Sequence, residues 1–210
     1  MEDVSATRSE LLARRVRIRL AEQGRDLLKE KRTALVREFA RLSREAVEGM
    51  DALGRSASAA TRALSTAVAL DGPEAVGSAA LVTSRQLRVA VRSRVVAGVR
   101  IAELEADVAA RAADARGYAL VSTSGRIDLA AHRFEVVLDQ LLEFAVLELT
   151  LRRLVEEIER TTRRLNALEY VVVPRLAAER DWIKQVLEER ELESRVRLLR
   201  ARGTRERRAA

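Results

Sequence analysis

Large apolar residues in the first quarter of the chain recur at helical steps. Leu12, Val16, Leu20, Leu27, Leu28, Leu35, Phe39, Leu42, Val47, Met50 and Leu53 follow one another at intervals of mostly three, four and seven, which places them along one stripe of a helix. Arg14, Arg15, Arg17, Arg19, Glu22, Arg25, Asp26, Lys29, Glu30, Lys31 and Arg32 flank that stripe. The apolar face is therefore a narrow seam, suited to one partner helix. Thr7 and Glu10 have the T-x-x-E spacing of a capping box and predict the helix start. Asp71-Gly72-Pro73-Glu74 predicts its end, because Gly closes one helix and Pro opens the next, a short one reaching about residue 82.

The period then changes. From Leu87 to Leu104, the residues Leu87, Val89, Val91, Val95, Val96, Val99 and Ile101 roughly alternate with Arg88, Arg92, Arg94 and Arg100. That pattern predicts a short β-hairpin with Gly98 at its bend or bulge. Residues 107–117 read as a short helix or a link, and Ser122-Thr123-Ser124-Gly125 as a loop.

After Ile127 the helical period returns. Leu154, Ile158, Thr161, Leu165, Leu168 and Val172 follow steps of four and three. The same register carried forward puts Trp182 and Val186 on the seam together with Arg175, Glu179, Glu189 and Glu193, so the seam turns polar toward the C-terminus. Pro174 predicts a kink near residues 170–174, and Gly203 a stop followed by an Arg-rich tail.

Two long helices with narrow seams, one on each side of a small insert, predict a mainly α protein. The N- and C-terminal helices form a long antiparallel two-helix coiled coil, and the insert carries short helices and a short β-hairpin. The segments are 1–72 (N-terminal helix), 73–126 (insert or knob) and 127–210 (C-terminal helix and basic tail). At ~60 residues per helix the pair would be a rod of ~90 Å. Facing residue numbers would sum to about 200–210, which sets Leu35 near Leu168. The predicted seam is Leu20, Leu28, Leu35, Phe39 and Leu42 against Leu154, Ile158, Leu165, Leu168 and Val172.

Composition narrows the classes. The chain is 48% hydrophobic but only 3% aromatic, a poor supply for a wide core and a good one for long helices. Its 39 Lys+Arg against 32 Asp+Glu give a net charge of +7. All of the basic residues except Lys29, Lys31 and Lys184 are Arg. Nucleic-acid binding is not the expected use of that charge, since single-strand binders add aromatic platforms that are scarce here. The absence of cysteine excludes disulfides and thiolate metal sites. No signal-like start and no apolar run of spanning length point to a cytoplasmic location, with membrane contact only through partners.

Chemistry of the catalytic kind is not apparent. No G-x-x-x-x-G-K-[ST] loop occurs. The single His132, with Asp128 and Glu135 on the same helix face, reads as a charged surface and not as a metal site, because one imidazole with carboxylates is a poor transition-metal set. No cofactor, metal or catalytic residue is expected.

Two strings carry a family resemblance. One is Thr7-Arg8, Glu10-Leu11-Leu12, Arg15, Leu20, Ala21, Gly24, Leu27-Leu28-Lys29 and Lys31-Arg32. The other is Thr162-Arg163-Arg164-Leu165-Asn166-Ala167-Leu168-Glu169 with Val172-Val173-Pro174 and Glu188-Glu189-Arg190-Glu191. Together they resemble the D subunits of the V/A-type rotary ATPases, in which the position of Leu165 is commonly valine. The resemblance implies a non-catalytic central-stalk rotor. Its coiled coil would lie inside a hexameric ring of A and B subunits, with the small stalk F subunit on its side and the knob on a membrane-ring adaptor. It would pass torque between the ring and the ion-translocating membrane ring during ATP synthesis or hydrolysis coupled to proton or sodium transport. The alternative is a free-standing basic coiled coil binding nucleic acid or an acidic protein, which has no reason to carry the 162–169 string.

The candidate partner-binding residues are Thr7, Arg8, Arg14 and Arg15 at one end of the seam and Arg163, Arg164, Asn166 and Glu169 on the other helix. Arg163 and Arg164 offer guanidinium forks to carboxylates or carbonyls of a surrounding ring. The competing reading is that Asn166 and its charged neighbours set the pairing register. The arginines of the C-terminal tail, from Arg195 to Arg208, would make a basic tip with Arg14, Arg15, Arg17 and Arg19.

Overall fold

The computed structural model describes residues 5–82, 89–96, 98–106, 109–118 and 123–209. Helix α1 runs Arg8–Asp71, α2 Pro73–Val82, strand β1 Val89–Val96, strand β2 Val99–Ala106, α3 Gly125–Ala167 and α4 Val173–Ala209. A 3-10 turn lies at Ala113–Arg116 and a π-helical turn at Leu168–Val172. The fold is mainly α, with the N-terminal helix paired antiparallel to the C-terminal ones and a two-stranded hairpin in the insert. Leu87, Arg88 and Ser122 lie outside the described residues, as do 107 and 108 of the predicted link.

The predicted start and break of α1 hold. The Glu10 N–H donates to Thr7 Oγ1 at 3.2 Å, which satisfies one free amide of the first turn. Only this half of the capping box forms, because the Glu10 carboxylate pairs with Arg14 at 3.0 Å. At the other end Gly72 adopts φ 86°, which only glycine does without strain. Its N–H reaches Val68 O at 3.1 Å, and Pro73 opens α2. The hairpin is antiparallel with Val96 opposite Val99 and Val89 opposite Ala106, and Gly98 takes φ 78° at its turn.

The chain divides into two compact units, Met1–Thr33 with Glu159–Ala210, and Ala34–Ile158. In the second unit Leu35, Leu42, Val99 and Leu154 form a buried cluster, and Phe39, Ile101, Leu147, Leu151 and Ile158 pack against it. The hairpin thus contributes to the core of the helix pair instead of standing apart from it. Further along α1 the buried positions are Ala60, Ala63 and Ala67, and a Cβ on Gly49 would lie 3.8 Å from Phe144 Cδ2. Small residues let the opposite helix bring a large side chain close.

In the first unit Ile18, Leu165 and Ile183 are buried. Arg8 pairs with Glu191, Arg14 with Glu179 and Lys29 with Glu169, and Gly24 faces Leu168. These contacts correct the predicted register. Leu168 lies opposite Gly24 and not Leu35, whereas Leu35 meets Leu154 in the other unit.

Two predicted seam residues are off the seam, Leu20 at 67% and Val172 at 37% exposure. Leu12, Val16, Leu27, Val47 and Met50 of the N-terminal stripe are exposed as well. The predicted stripe runs through the bulky residues, whereas a 4-3 repeat anchored on the buried Ile18, Leu35, Leu42, Ala60, Ala63 and Ala67 passes through small and charged positions. Leu28, Phe39, Ile158 and Leu168 are half-buried.

On the C-terminal side the π turn explains a second shift. The Val173 N–H bonds to Leu168 O, five residues back, so one residue is inserted into the repeat. Beyond it Ile183 is fully buried and Trp182 only half. Pro174, which has no N–H to give to the α-helical ladder, begins just past this turn. Where a kink near residues 170–174 is predicted, the helix carries a π turn at Leu168–Val172. Gly203 does not end the helix, which continues to Ala209.

Candidate functional site

Three polar arrangements stand out, each within one unit. Around Arg14, Nη2 lies 3.0 Å from Glu10 and Nε 3.1 Å from Glu179. That second approach lacks hydrogen-bond alignment at Nε and acts as a charge pair. Arg175 holds the other oxygen of Glu179 at 3.0 Å. Glu179 is buried at 7%, so this carboxylate is compensated from both helices. Of the polar seam residues predicted there, Glu179 is the one that enters the seam.

The remaining candidate residues separate into engaged and open ones. Thr7 caps α1, Arg8 pairs with Glu191 at 2.6 Å, and Glu169 with Lys29 at 3.3 Å. Arg15, Arg164 and Asn166 are exposed, and Arg163, 71% exposed, is loosely paired with Glu159 at 3.5 Å. Leu165 beside them is buried at 1%. Leu165 alone of the stretch 163–166 points into the seam, and Asn166 takes no part in it. Next to this stretch Tyr170 and Val171 are exposed at 72% and 61%. Neither belongs to the predicted contact residues. Their signal in the sequence is an aromatic midway between the predicted seam positions Leu168 and Val172.

A third arrangement, in the second unit, centres on a residue that periodicity does not mark. Arg116 is buried at 3%. Its guanidinium donates to Glu135 at 2.8 Å, to Asp128, and to Arg111 O at 2.9 Å. Backbone N–H groups of the same segment also reach α3, from Ala109 and Ala110 to Asp139 at 2.7 and 3.0 Å and from Arg111 to Glu135 at 3.0 Å. Tyr118 OH donates to Asp128 at 2.8 Å. Asp128, Glu135 and Asp139 fall on one face of α3, at steps of seven and four. The two carboxylates considered beside His132 are thus committed to Arg116, and His132 is exposed. Among the described residues no group of His, Asp and Glu could hold a metal ion.

Electrostatics follow from that geometry. Burial pushes the Glu135 carboxyl up, but hydrogen bonds from Arg116 and the Arg111 N–H outweigh it and hold the group below the usual range. Asp128 is likewise opposed by burial and held low by Tyr118 and Arg116. Arg116 is raised by its bonds to Glu135, and Tyr118 is raised by burial and by Asp128. Behind Tyr118 lies an apolar cavity of about 200 Å³ lined by α1, α2 and α3 residues including Leu64, Val76, Ile127 and Phe134.

A mainly helical chain with an ion-paired seam, exposed arginines and outward apolar residues presents surfaces suited to contacts with other proteins. Similarity to known proteins makes this particular. Residues 10–203 match the family model for the ATP synthase D subunit. The A-type ATP synthase D subunit of Thermococcus kodakarensis is 42% identical over 96% of this chain and 94% of its own length. Those of Pyrococcus furiosus and Methanoregula boonei are 40% and 35% identical over 95% and 97% of this chain and 94% and 99% of their own lengths. This chain belongs to the ATP synthase D subunit family. No helix among its described residues is long and apolar enough to cross a membrane.

Proposed function

We propose that the chain is the non-catalytic central-stalk rotor of an A-type rotary ATPase, transmitting torque between a ring of A and B subunits and the membrane ion-translocating ring. The observation that carries this reading is a set of apolar side chains with no internal cover in a family named for ATP synthase. Leu12, Val16, Leu20 and Leu27 stand exposed in a stretch rich in arginine, and Tyr170 and Val171 are exposed on the C-terminal side. Large exposed apolar residues in numbers mark binding surfaces, and Arg15, Arg163 and Arg164 supply forks for carboxylates and carbonyls around them.

In this reading the helical segments 1–72 and 127–210 work inside the ring, and segment 73–126 meets a membrane-ring adaptor. The small stalk F subunit takes another side, for which Phe134, Leu138, Leu141 and Leu149 of α3, all exposed, offer a stripe at helical spacing. The complex is peripheral to the membrane on its cytoplasmic side. Tagged chain purified from its native host tests the proposal. Stoichiometric co-purification of A- and B-type ATPase subunits is the expected result, and recovery with nucleic acid or with unrelated proteins instead would sink it.

A further inference from the structure

We propose that Arg116 is a positioning residue: it pins the return segment 109–118 to α3, so that force on the insert reaches the helix pair through side-chain ion pairs as well as through the chain itself. The mechanical half of this statement rests on the rotor reading above. The attachment half rests on geometry alone.

The segment between the hairpin and α3 has little regular structure of its own, since its described residues hold only the 3-10 turn Ala113–Arg116. Its amides at Ala109, Ala110 and Arg111 would be unsatisfied without α3, and they go to Asp139 and Glu135. The Glu135 carboxylate needs a cation to be stable at low exposure. Arg116 supplies it, with Glu135 at 12% exposure and its own side chain at 2%. The same guanidinium holds Arg111 O, so one side chain ties both ends of the segment to one helix. Gly117 at φ 91° then turns the chain within 3.5 Å of Val82 O, measured from where a Cβ would stand. Tyr118 follows, its ring against the cavity and its OH on Asp128. The pin therefore also sets the aromatic lid between α2 and α3.

The charged and titratable groups facing Arg116 are Glu135 and Asp128 of α3 and Tyr118 of its own segment, with Arg111 and His132 beside them. A neutral residue at 116 would take from Glu135, at 12% exposure, its nearest cation, leaving the Arg111 guanidinium at 3.5 Å, and from Asp128, at 31%, its arginine, so that both carboxylates are less compensated than before. The segment should then lift.

The test is hydrogen exchange on the purified full chain, comparing peptides that cover 109–118 with seam peptides that cover 150–165. Arg116→Met should lower protection at 109–111 on the order of a hundredfold and leave the seam unchanged. Arg116→Lys should restore part of it. A further variant, Glu135→Gln, should lose protection at Arg111 and weaken the acid dependence of that peptide. If Arg116→Met unfolds the whole chain, Arg116→Lys and Glu135→Gln still decide the matter, because unchanged protection at 109–111 in both overturns the pin. In a reconstituted complex the Arg116→Met chain should retain ATPase activity with reduced ion pumping per ATP. Lost protection with an unaltered pumping ratio overturns the mechanical half alone, whereas failure of the wild-type chain to join A and B subunits overturns the rotor reading and leaves the pin standing.

Discussion

In the unit made of Met1–Thr33 and Glu159–Ala210, the buried apolar seam consists of Ile18, Leu165 and Ile183, and the charged groups Arg14 and Glu179 share it. In the unit Ala34–Ile158, Leu35, Leu42, Leu154 and the hairpin's Val99 close into one cluster, and the ion pairs lie apart from it, around Arg116. Both units leave large apolar residues outside, Leu12, Val16, Leu20 and Leu27 in the first and Val47, Met50, Leu138 and Leu141 in the second, but the second also packs its hairpin onto the helix pair as a third layer. Hydrophobic burial contributes in proportion to apolar area removed from water, so the cluster around Leu154 should carry more of the second unit's stability than the thin seam of Ile18, Leu165 and Ile183 carries of the first. For a chain proposed to work within a ring, the outward residues of the first unit are those expected to meet it.

Truncation of core side chains tests that contrast most strongly. Leu154→Ala should cost in the upper part of the ~2–5 kcal/mol range for buried leucines, because Leu154 is 1% exposed and sits among Leu35, Leu42 and Val99. Leu20→Ala should stay within about 0.5 kcal/mol in the isolated chain. Urea melts of both variants measure this. Equal losses would mean that Leu20 has a partner within the chain and that the contrast is wrong.

Arg14→Met comes next, at about 1–3 kcal/mol, since Glu179 would lose one of its two cations while keeping Arg175. Adding Glu179→Leu to Arg14→Met should recover most of the loss. A double-mutant cycle gives the coupling directly. Additive losses would place the pair in solvent and remove the polar character assigned to this seam.

The break at Gly72-Pro73, the hairpin around Gly98 and the seam from Leu154 to Leu168 were legible because each depends on local backbone chemistry or on an unbroken repeat. The α1 seam was legible only in part. Hydrophobic size points to Val47 and Met50, while packing chose Gly49, Ala60, Ala63 and Ala67, whose value lies in how closely another helix can approach. The shift from Trp182 to Ile183 needed the π turn, a one-residue insertion that Pro174 hints at without specifying. Arg116 was invisible because its partners come from a helix face twelve to nineteen residues away, and spacing within α3 alone suggests only a solvated surface. Among the candidate contacts, the outward placement of Arg15, Arg163 and Arg164 was readable from their flanking positions.

Acid should separate the two units at smaller cost. The Asp128 and Glu135 carboxyls are held below their ordinary values in the folded chain. Groups depressed in this way stabilise above their unfolded values of about 4, and the contribution is lost as pH falls through the folded ones. Protection at 109–118, corrected for intrinsic exchange, should therefore be flat from about pH 7 to about pH 5 and fall below about pH 4. Asp128→Asn with Glu135→Gln should flatten that limb. A decline centred near about pH 6 would implicate a group other than these two carboxyls and overturn the assignment.

The smallest expected effects come from glycines in α1, and they compare the closeness of the two seams. Gly24 and Gly49 both lie inside a helix at ordinary φ, where replacement by alanine gains about 0.5–1 kcal/mol through backbone entropy if space allows. At Gly24 a Cβ would stand 4.0 Å from Leu168 Cδ1, and at Gly49 3.8 Å from Phe144 Cδ2, while Gly54 has nothing within 4 Å. All three positions permit a methyl group, so Gly54→Ala measures the helix gain alone. Departures from it at the other two positions report the seam. Gly24→Ala should match or slightly exceed the Gly54 value, because a methyl adds contact with Leu168. Gly49→Ala should do the same, because 3.8 Å from Phe144 Cδ2 is likewise ordinary contact. Thermal melts of the three single variants are sufficient. A loss of stability at Gly24 or at Gly49 relative to Gly54 would mean that the seam at that position is closer than these distances allow.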